Sequence, residues 1–379
     1  ASLRGLGIGR GDRVVAYLPN VPQTVVAFLA CASIGAIWSS CAPEMGVSVV
    51  LDRFQQIAPK LIFATDSYTY AGRQFDRREV LDEVLQGLPD IARVIHVPGP
   101  LFGSDAEHAA VPWRDCMRWD EATRHAAPLQ FERLPFSHPL WVVYSSGTTG
   151  LPKAAVISHA RWLMAGDSMQ LLWEITRDDC FYCFLPLYHG AASMSLTATA
   201  MAAGARIVVR RKFSRSEFWR DIRAHGITFC QYVGEICRFL LSAPATDSDR
   251  EHSLRKMAGT GLTPEIWQQW TSRFGAVFQI YEGWGGTESN TNTINLDNRI
   301  GSCGRVPFWE KTNLRLVRYD QEKGDYIRDE NGFLQLAGVN EPGEAIGMVI
   351  QYPGVVAGRF EGYTSEEASE KKLLRNVFQ

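Results

Sequence analysis

Short apolar runs alternate with amphipathic stretches along the N-terminal part of the chain. Three runs are typical of buried strands: 13–18, 36–38 and 60–64. Between them, Asn20 followed by Pro22 predicts a helix that Asn20 caps, and the stretch 47–57 predicts a second helix. Strands that alternate with helices predict a parallel sheet covered on both faces.

The same alternation continues in the middle of the chain and then changes. The runs 140–144 and 154–157 are further strand candidates, and Thr263 followed by Pro264 predicts the start of an amphipathic helix. From Gly301 onwards, short strands and turns replace helices. We therefore expect an α/β fold: two packed αβα subdomains (1–140 and 141–300) with mostly parallel sheets, and a small β-rich subdomain (301–379).

Composition excludes several classes of protein. The 379 residues exceed what one core normally holds, and a net charge of −2 gives no argument for nucleic-acid binding. The eight cysteines lie mostly in apolar surroundings and do not suggest a disulfide framework. The longest apolar stretch, 25–38, is shorter than the roughly 20 residues of a membrane-spanning helix. We expect a cytoplasmic protein and leave peripheral membrane contact and oligomeric state open.

A loop rich in glycine and hydroxyl side chains lies between the strand candidates 140–144 and 154–157. It contains almost no apolar bulk and ends in a lysine. Backbone N–H groups in such loops bind anions, and a lysine adds a positive charge. The residues concerned are Ser145, Ser146, Gly147, Thr148, Thr149, Gly150, Leu151, Pro152 and Lys153.

This loop resembles the phosphate-binding loop of the acyl-adenylate-forming enzymes, the superfamily of acyl-CoA synthetases, luciferases and peptide-synthetase adenylation domains. The resemblance implies the large N-terminal domain of that fold. It implies that Thr148 and Thr149 hold the β- and γ-phosphates of ATP, that Lys153 also binds ATP, and that Thr148 and Lys153 are catalytic residues. Ser145, Ser146, Gly147 and Gly150 then belong to the same ATP-binding loop.

A second motif, 281–288, supports the resemblance. A carboxylate that follows a Gly-Gly turn can reach a hard cation through oxygen. By resemblance, Glu288 is the Mg²⁺ ligand and a catalytic residue, Thr287 contacts phosphate, and Trp284 is an aromatic wall. Gly285 and Gly286 complete the ATP-binding turn.

Three further segments are assigned by the same resemblance. The segment Gly259, Thr260 and Gly261 lies along adenine, where glycines let a planar ring approach closely. His189 matches a histidine beside the substrate carboxylate and is expected to bind the substrate and to act as a catalytic residue. The residues expected along the acyl tunnel are Gln231, Tyr232 and Gly234.

The resemblance changes along the chain. Segments such as 35–43 and 136–141 resemble acetoacetyl-CoA synthetase and its relatives. Segments after the glycine-rich loop, such as 184–189, 231–235 and 360–363, resemble fatty acid transport proteins and very-long-chain acyl-CoA synthetases. A mixed lineage, natural or constructed, is our interpretation.

The expected activity is ATP- and Mg²⁺-dependent activation of a carboxylic acid, most simply a fatty acid, followed by transfer to coenzyme A. Three alternatives stay open: a short-chain or acetoacetate substrate, a catalytically silent nucleotide-binding protein, and an adenylation domain that serves a carrier protein. The chain ends before the family's ribose-binding Asp and the C-terminal lid with its catalytic lysine. We therefore expect weak or absent thioester formation by this chain alone.

Overall fold

The computed structural model describes residues 1–101, 113, 115–145, 152–275, 278–286, 288–306, 308–352 and 358–379. Up to residue 172 the elements are α1 (Ser2–Gly5), β1 (Arg13–Tyr17), α2 (Pro22–Ser33), β2 (Ile37–Cys41), α3 (Val47–Phe54), β3 (Leu61–Ala64), β4 (Ser67–Tyr70), β5 (Arg73–Asp76), α4 (Arg78–Gln86), β6 (Arg93–His96), β7 (Cys116–Arg118), α5 (Trp119–Thr123), β8 (Pro139–Tyr144), β9 (Ala154–Ser158) and α6 (His159–Leu172).

The remaining elements complete a second sheet and a third, β-rich part. They are β10 (Cys180–Cys183), α7 (Thr197–Ala203), β11 (Arg206–Val209), α8 (Phe218–His225), β12 (Phe229–Val233), α9 (Gly234–Leu241), β13 (Lys256–Thr260), α10 (Pro264–Phe274), β14 (Gln279–Gly285), β15 (Asn292–Ile294), β16 (Leu314–Val317), β17 (Tyr319–Asp320), β18 (Asp325–Tyr326), β19 (Glu344–Gly347) and α11 (Glu366–Glu370). Short 3-10 helices span Gln55–Ile57, Asp247–Arg250 and Trp309–Lys311, and a π-helix spans Ala191–Leu196.

The first sheet has the strand order β7-β6-β3-β1-β2-β8-β9 and is parallel except for the last pair, β8 with β9. Both faces are buried: Val14 and Ala16 of β1 enter one core cluster, and Val15 and Tyr17 enter the cluster on the opposite face. This arrangement confirms the parallel sheet predicted from the strand–helix alternation. β8 and β9 both belong to this sheet, so it continues past residue 140, where we expect the first subdomain to end.

The second sheet has the order β11-β10-β12-β13-β14-β15, and only β14 with β15 is antiparallel. In α10, Thr263 is the N-cap residue and accepts a hydrogen bond from the backbone N–H of Ile266, as the sequence predicts. Trp267, Trp270 and Phe274 lie buried on one side of this helix. The third part pairs β16 with β19 and β17 with β18 as two two-stranded antiparallel sheets.

Asn20 does not cap α2. Val21 is the N-cap residue, and no side chain caps this helix. The buried amide of Asn20 instead donates to the carbonyl oxygen of Leu185 (2.7 Å) and accepts from the backbone N–H of Leu187 (2.8 Å). The capping prediction is wrong because the side chain has a tertiary partner: it joins the end of β1 to the loop after β10.

The two sheets also meet through α6 and α7, which pack closely at Gly166. A Cβ atom at Gly166 would lie 2.7 Å from the carbonyl oxygen of Ala198, so the backbones approach in a way that only glycine permits. Nearby, the indole N–H of Trp162 donates to the carbonyl oxygen of Ser193, 3.0 Å away. Within the described ranges, no helix has the length and apolarity needed to cross a lipid bilayer.

Candidate active site

The glycine-rich loop connects the last two strands of the first sheet. At its base, the N–H of Ser145 donates to the carbonyl oxygen of Lys153 (3.0 Å), and the N–H of Lys153 donates to the Ser145 hydroxyl (3.4 Å). The predicted loop has the flanking strands that the sequence indicates. The predicted ATP-binding residues Ser146, Gly147, Thr148, Thr149 and Gly150, and Thr287 of the second motif, lie outside the described residues.

A segment from the end of the chain, 360–364, lies along the edge of β9. The N–H of Val156 donates to the carbonyl oxygen of Gly362 (3.1 Å), and the N–H of Thr364 donates to that of Ala154 (2.8 Å). These bonds extend the first sheet beside the base of the glycine-rich loop. From the sequence, this segment is similar to fatty acid transport proteins and very-long-chain acyl-CoA synthetases, and no site residue is predicted within it.

Glu288 and Lys153 are brought to this place by one side chain, that of Tyr363. The Tyr363 hydroxyl donates to Oε1 of Glu288, 3.2 Å away, and Nζ of Lys153 lies 5.6 Å from the centre of the Tyr363 ring. Tyr363 is buried, and desolvation together with the Glu288 carboxylate raises the pKa of its hydroxyl to about 12. The two motifs that sequence analysis pairs therefore meet across this ring.

Arg161, in the first turn of α6, places a positive charge near the carboxylate of Glu288. Its guanidinium donates to the carbonyl oxygen of Ser289, 2.6 Å away. Burial lowers the pKa of Arg161, and the carboxylates of Glu361 and Glu288 act in the opposite direction. Glu361 also accepts hydrogen bonds from the backbone N–H (2.8 Å) and the hydroxyl of Ser158. Neither Arg161 nor Glu361 is predicted as a site residue from the sequence.

The carboxyl ends of β10, β12, β13 and β14 share one edge of the second sheet, because these strands are parallel. This edge is where open α/β sheets bind ligands. The predicted adenine segment comprises the last two residues of β13, Gly259 and Thr260, and Gly261 directly after it, and Thr260 and Gly261 are exposed there. Gly261 has φ = 85°, a conformation that favours glycine. An exposed turn without side-chain bulk at Gly259 and Gly261 fits the approach of a planar base.

Gly234 and Gly259 each pack against the backbone of a neighbouring segment at this edge. A Cβ atom at Gly234 would lie 1.9 Å from the carbonyl oxygen of Gly261, and one at Gly259 would lie 2.3 Å from that of Tyr232. Gly234, predicted to line the acyl tunnel, therefore has a packing role in this structure.

The side chain of Glu282 fixes the turn after β13 through hydrogen bonds to its backbone. Its Oε1 accepts hydrogen bonds from the N–H groups of Gly261 (2.6 Å) and Leu262 (3.2 Å), and its other oxygen accepts one from the Tyr232 hydroxyl. Burial raises the pKa of Glu282, and these hydrogen bonds oppose the rise. Tyr232, predicted along the acyl tunnel, is buried against Glu282. Sequence analysis missed Glu282, although a carboxylate inside a buried strand is a signal that could have found it.

Gln231 and His189 lie at the same sheet edge. Gln231 is buried, and its Oε1 has no hydrogen-bond partner within the part of the chain that the structure describes. Such an atom fits a polar ligand group, because an unpaired buried acceptor is costly. His189 follows β10, and its Nδ1 accepts from the N–H of Ala191 (3.2 Å). Desolvation lowers the pKa of His189, which favours the neutral imidazole.

The predicted aromatic wall and glycine turn continue β14 outwards. Trp284 pairs with Thr293 of β15, Gly285 pairs with Asn292, and the Trp284 side chain is 41% exposed. Gly286 lies next to Glu288: a Cβ atom there would be 3.7 Å from Oε2 of Glu288. Trp284, Gly285 and Gly286 are all exposed at the end of β14.

Among the described residues, no group of three or more His, Cys, Asp or Glu side chains could hold a metal ion. Glu288 contributes one carboxylate, with one oxygen bonded to Tyr363. A single carboxylate fits Mg²⁺, which usually takes one or two protein carboxylates together with phosphate oxygens and water. The donor set therefore fits a nucleotide-bound Mg²⁺ ion and does not form a cage made of protein alone.

Comparison with known proteins agrees with this geometry. Residues 1–355 match the family described as AMP-binding enzyme. The chain belongs to that family. It is 34% identical over 393 residues to the medium/long-chain-fatty-acid–CoA ligase FadD6 of Mycobacterium tuberculosis, covering 100% of this chain and 58% of that protein. It is 38% identical over 242 residues to human long-chain fatty acid transport protein 1, covering 63% of this chain and 37% of the relative.

The structure of acetoacetyl-CoA synthetase from Streptomyces lividans is also similar to this chain. It superposes with a TM-score of 0.72 at 31% identity, over 86% of this chain and 51% of that one. These findings confirm the predicted fold class and both resemblances, to fatty acid transport proteins and to acetoacetyl-CoA synthetase. The chain spans 58% of the length of the Mycobacterium tuberculosis ligase and 51% of the length of the Streptomyces lividans protein. It therefore corresponds to about half of each relative.

Proposed function

We propose that this chain carries the adenylating half of an AMP-forming acyl-CoA synthetase, acting on a fatty acid. A carboxylate oxygen of the acid attacks the α-phosphorus of ATP, an acyl-adenylate forms, and pyrophosphate leaves. The thiol of coenzyme A then attacks the acyl carbonyl carbon and AMP leaves. The substrates are thus a carboxylic acid, ATP and coenzyme A. The observation that carries the proposal is the meeting of Lys153 and Glu288 at the Tyr363 ring.

The roles of individual residues follow from their positions. Lys153 brings a positive charge to the base of the loop, where phosphates would lie, and positioning with charge neutralisation is the main requirement of phosphoryl chemistry. Glu288 would hold Mg²⁺, which neutralises charge on the phosphate oxygens when bound. The turn that Glu282 fixes accepts the base of the nucleotide. We assign the acid carboxylate to the neighbourhood of His189 and the unpaired Oε1 of Gln231.

The fatty-acid reading is supported by relatives whose names specify medium- or long-chain fatty acids. A second candidate, acetoacetate or another short acid, is favoured by the similarity to the Streptomyces lividans protein. A panel of acetate, acetoacetate, octanoate, palmitate and longer acids separates the two. Each acid is incubated with the chain, ATP, Mg²⁺ and labelled pyrophosphate, and label exchange into ATP is counted.

Exchange that rises with chain length supports the fatty-acid proposal, and exchange confined to the short acids supports the second candidate. A nucleotide-binding protein without catalysis is the rival from another class. It would bind ATP but show no exchange with any acid, and that result would sink the proposed function. Adding coenzyme A to the active acid then measures thioester formation as a separate step.

A further inference from the structure

The side chain of Tyr363 occupies the space between the two motifs of the candidate site. It comes from a part of the chain 75 positions beyond Glu288, and the sheet edge of β9 fixes its backbone. Ala155 and Tyr363 form an antiparallel bridge, and the bonds on both sides of it limit rotation of the segment. The position of the Tyr363 ring is therefore set by the first sheet.

The ring and the hydroxyl group of Tyr363 make different contacts. The ring is buried in the core of the first sheet and packs edge-on against Phe360 at 6.5 Å between centroids. The hydroxyl reaches Oε1 of Glu288, the one hydrogen bond to this carboxylate within the described part of the chain. A tyrosine hydroxyl is protonated at neutral pH, so the hydroxyl is the donor and the carboxylate the acceptor.

One carboxylate oxygen is thereby held, and the other is directed to the side of Gly286. The Oε2 atom lies 3.7 Å from the position that a Cβ atom would take at Gly286, and Oγ of Ser289 lies 2.7 Å from the same position. A metal-binding carboxylate that is hydrogen-bonded by a neighbour has its orientation fixed before the ion arrives. The cation of Lys153 lies at the face of the same ring.

We propose that Tyr363 is a positioning residue for the cation site: its hydroxyl holds Oε1 of Glu288 so that Oε2 faces the nucleotide-bound divalent ion. The inference rests on the proposed function for its ligand, the ATP-bound metal. It makes the segment 360–364 a part of the site, and the bonds to β9 link that segment to the base of the glycine-rich loop.

The test is binding of Mn²⁺, a spectroscopically visible substitute for Mg²⁺, in the presence of ATP. Electron paramagnetic resonance follows the Mn²⁺ signal over a titration, and the same titration of Mn²⁺ and ATP without protein gives the share of the ion that ATP holds in solution. The wild-type chain is compared with the Tyr363→Phe variant, which keeps the ring and loses only the hydroxyl. We expect the dissociation constant for Mn²⁺ to rise about tenfold in Tyr363→Phe, the lower end of the effect of losing a partner of a metal ligand. Tyr326→Phe is the matched control, because that ring packs on Tyr319 in a separate small sheet.

A double-mutant cycle separates positioning from a general structural effect. In a Glu288→Gln background, the Tyr363→Phe change should cause no further loss of Mn²⁺ binding, because the carboxylate it orients is gone. An unchanged dissociation constant in Tyr363→Phe, equal losses in both backgrounds, or no ATP-dependent Mn²⁺ binding by the wild-type chain would each overturn the inference. The measurement needs no turnover, so failure of acid-dependent exchange would count against the proposed function and not against Tyr363.

Discussion

The hydroxyl group of Tyr232 donates a hydrogen bond to the carboxylate of Glu282, and both side chains are buried beneath the turn after β13. Through its other oxygen, Glu282 fixes the N–H groups of Gly261 and Leu262. One carboxylate thus joins β12 and β14, the strands on either side of β13, to the turn after β13. The turn that is expected to meet adenine depends on residues that cannot touch adenine themselves.

Removal of the Tyr232 hydroxyl should destabilise the fold. The Tyr232→Phe variant leaves one buried oxygen of Glu282 without its donor, and we expect the free energy of unfolding to fall by about 1–3 kcal/mol. Urea denaturation followed by fluorescence measures the change. Tyr352→Phe is the control, since Tyr352 is 72% exposed. Equal stability of Tyr232→Phe and wild type would contradict the supporting role of this pair.

Substitution of Gly234 should be costly although alanine adds a single methyl group. The added Cβ would clash with the carbonyl oxygen of Gly261, which is backbone and cannot rotate away. We expect Gly234→Ala to lose about 1–3 kcal/mol of stability and to weaken ATP binding, because the turn itself must shift. Gly9→Ala is the control, since nothing lies within 4 Å of a Cβ there. Wild-type ATP affinity in Gly234→Ala would show that the turn does not contact the nucleotide.

Asn20 should contribute to stability through its tertiary contacts. Asn20→Ala leaves the buried carbonyl oxygen of Leu185 and N–H of Leu187 unpaired, and we expect a loss of about 2–4 kcal/mol in unfolding free energy. Gln23, three residues after Asn20, has the sequence position of the second member of a capping box, so Gln23→Ala distinguishes this role from helix capping. A capping box at the start of α2 would make both substitutions destabilising, whereas the observed contacts predict an effect for Asn20 alone.

The two charged residues at the Tyr363 ring should have unequal effects on adenylation. Glu288→Ala is expected to abolish Mg²⁺-dependent, acid-dependent pyrophosphate exchange. Lys153→Ala should weaken it by about 1–3 kcal/mol of transition-state stabilisation, the range for a charged hydrogen bond. Circular dichroism checks that the fold is intact, and Lys372→Ala, an exposed lysine, is the control. Wild-type exchange rates in both variants would refute the site assignment.

Acid should destabilise the chain partly through His159. Burial, and then the neighbouring ring of His138 at 6.0 Å, lower the pKa of His159 below its usual value of 6.5. The fold therefore favours the neutral ring, so this contribution to stability is present above pH 6.5 and is lost as pH falls through the lowered pKa. His159→Gln should make the pH dependence of unfolding free energy shallower between pH 7 and pH 5, by at most about 1.4 kcal/mol per pH unit. An unaltered slope would contradict this, and exposed His125→Gln should leave the slope unchanged.

Local patterns in the sequence determine much of this protein. Apolar runs place β1, β3, β8 and β9 correctly, because buried strands need continuous apolar residues whatever they pair with. The cap of α10 at Thr263 is correct because it is made within three residues. The glycine-rich loop and the motif ending at Glu288 identify the family, which residues 1–355 then confirm.

Only the tertiary structure decides which distant residues meet. Asn20 has the sequence context of a helix cap, yet the two hydrogen-bond partners of its side-chain amide lie 165 and 167 positions away along the chain. The place of Glu282 in a buried strand is a local signal, but its partner Tyr232 lies 50 positions away, and Glu288, the partner of Tyr363, lies 75 positions away. Hydrogen-bonding groups in a buried edge must be satisfied by whatever the sheet order brings near, and that order is set by pairing across the chain. The sequence therefore predicts the chemical roles of Lys153 and Glu288. Only the tertiary structure shows that Tyr363, paired with the edge of β9, contacts both of them.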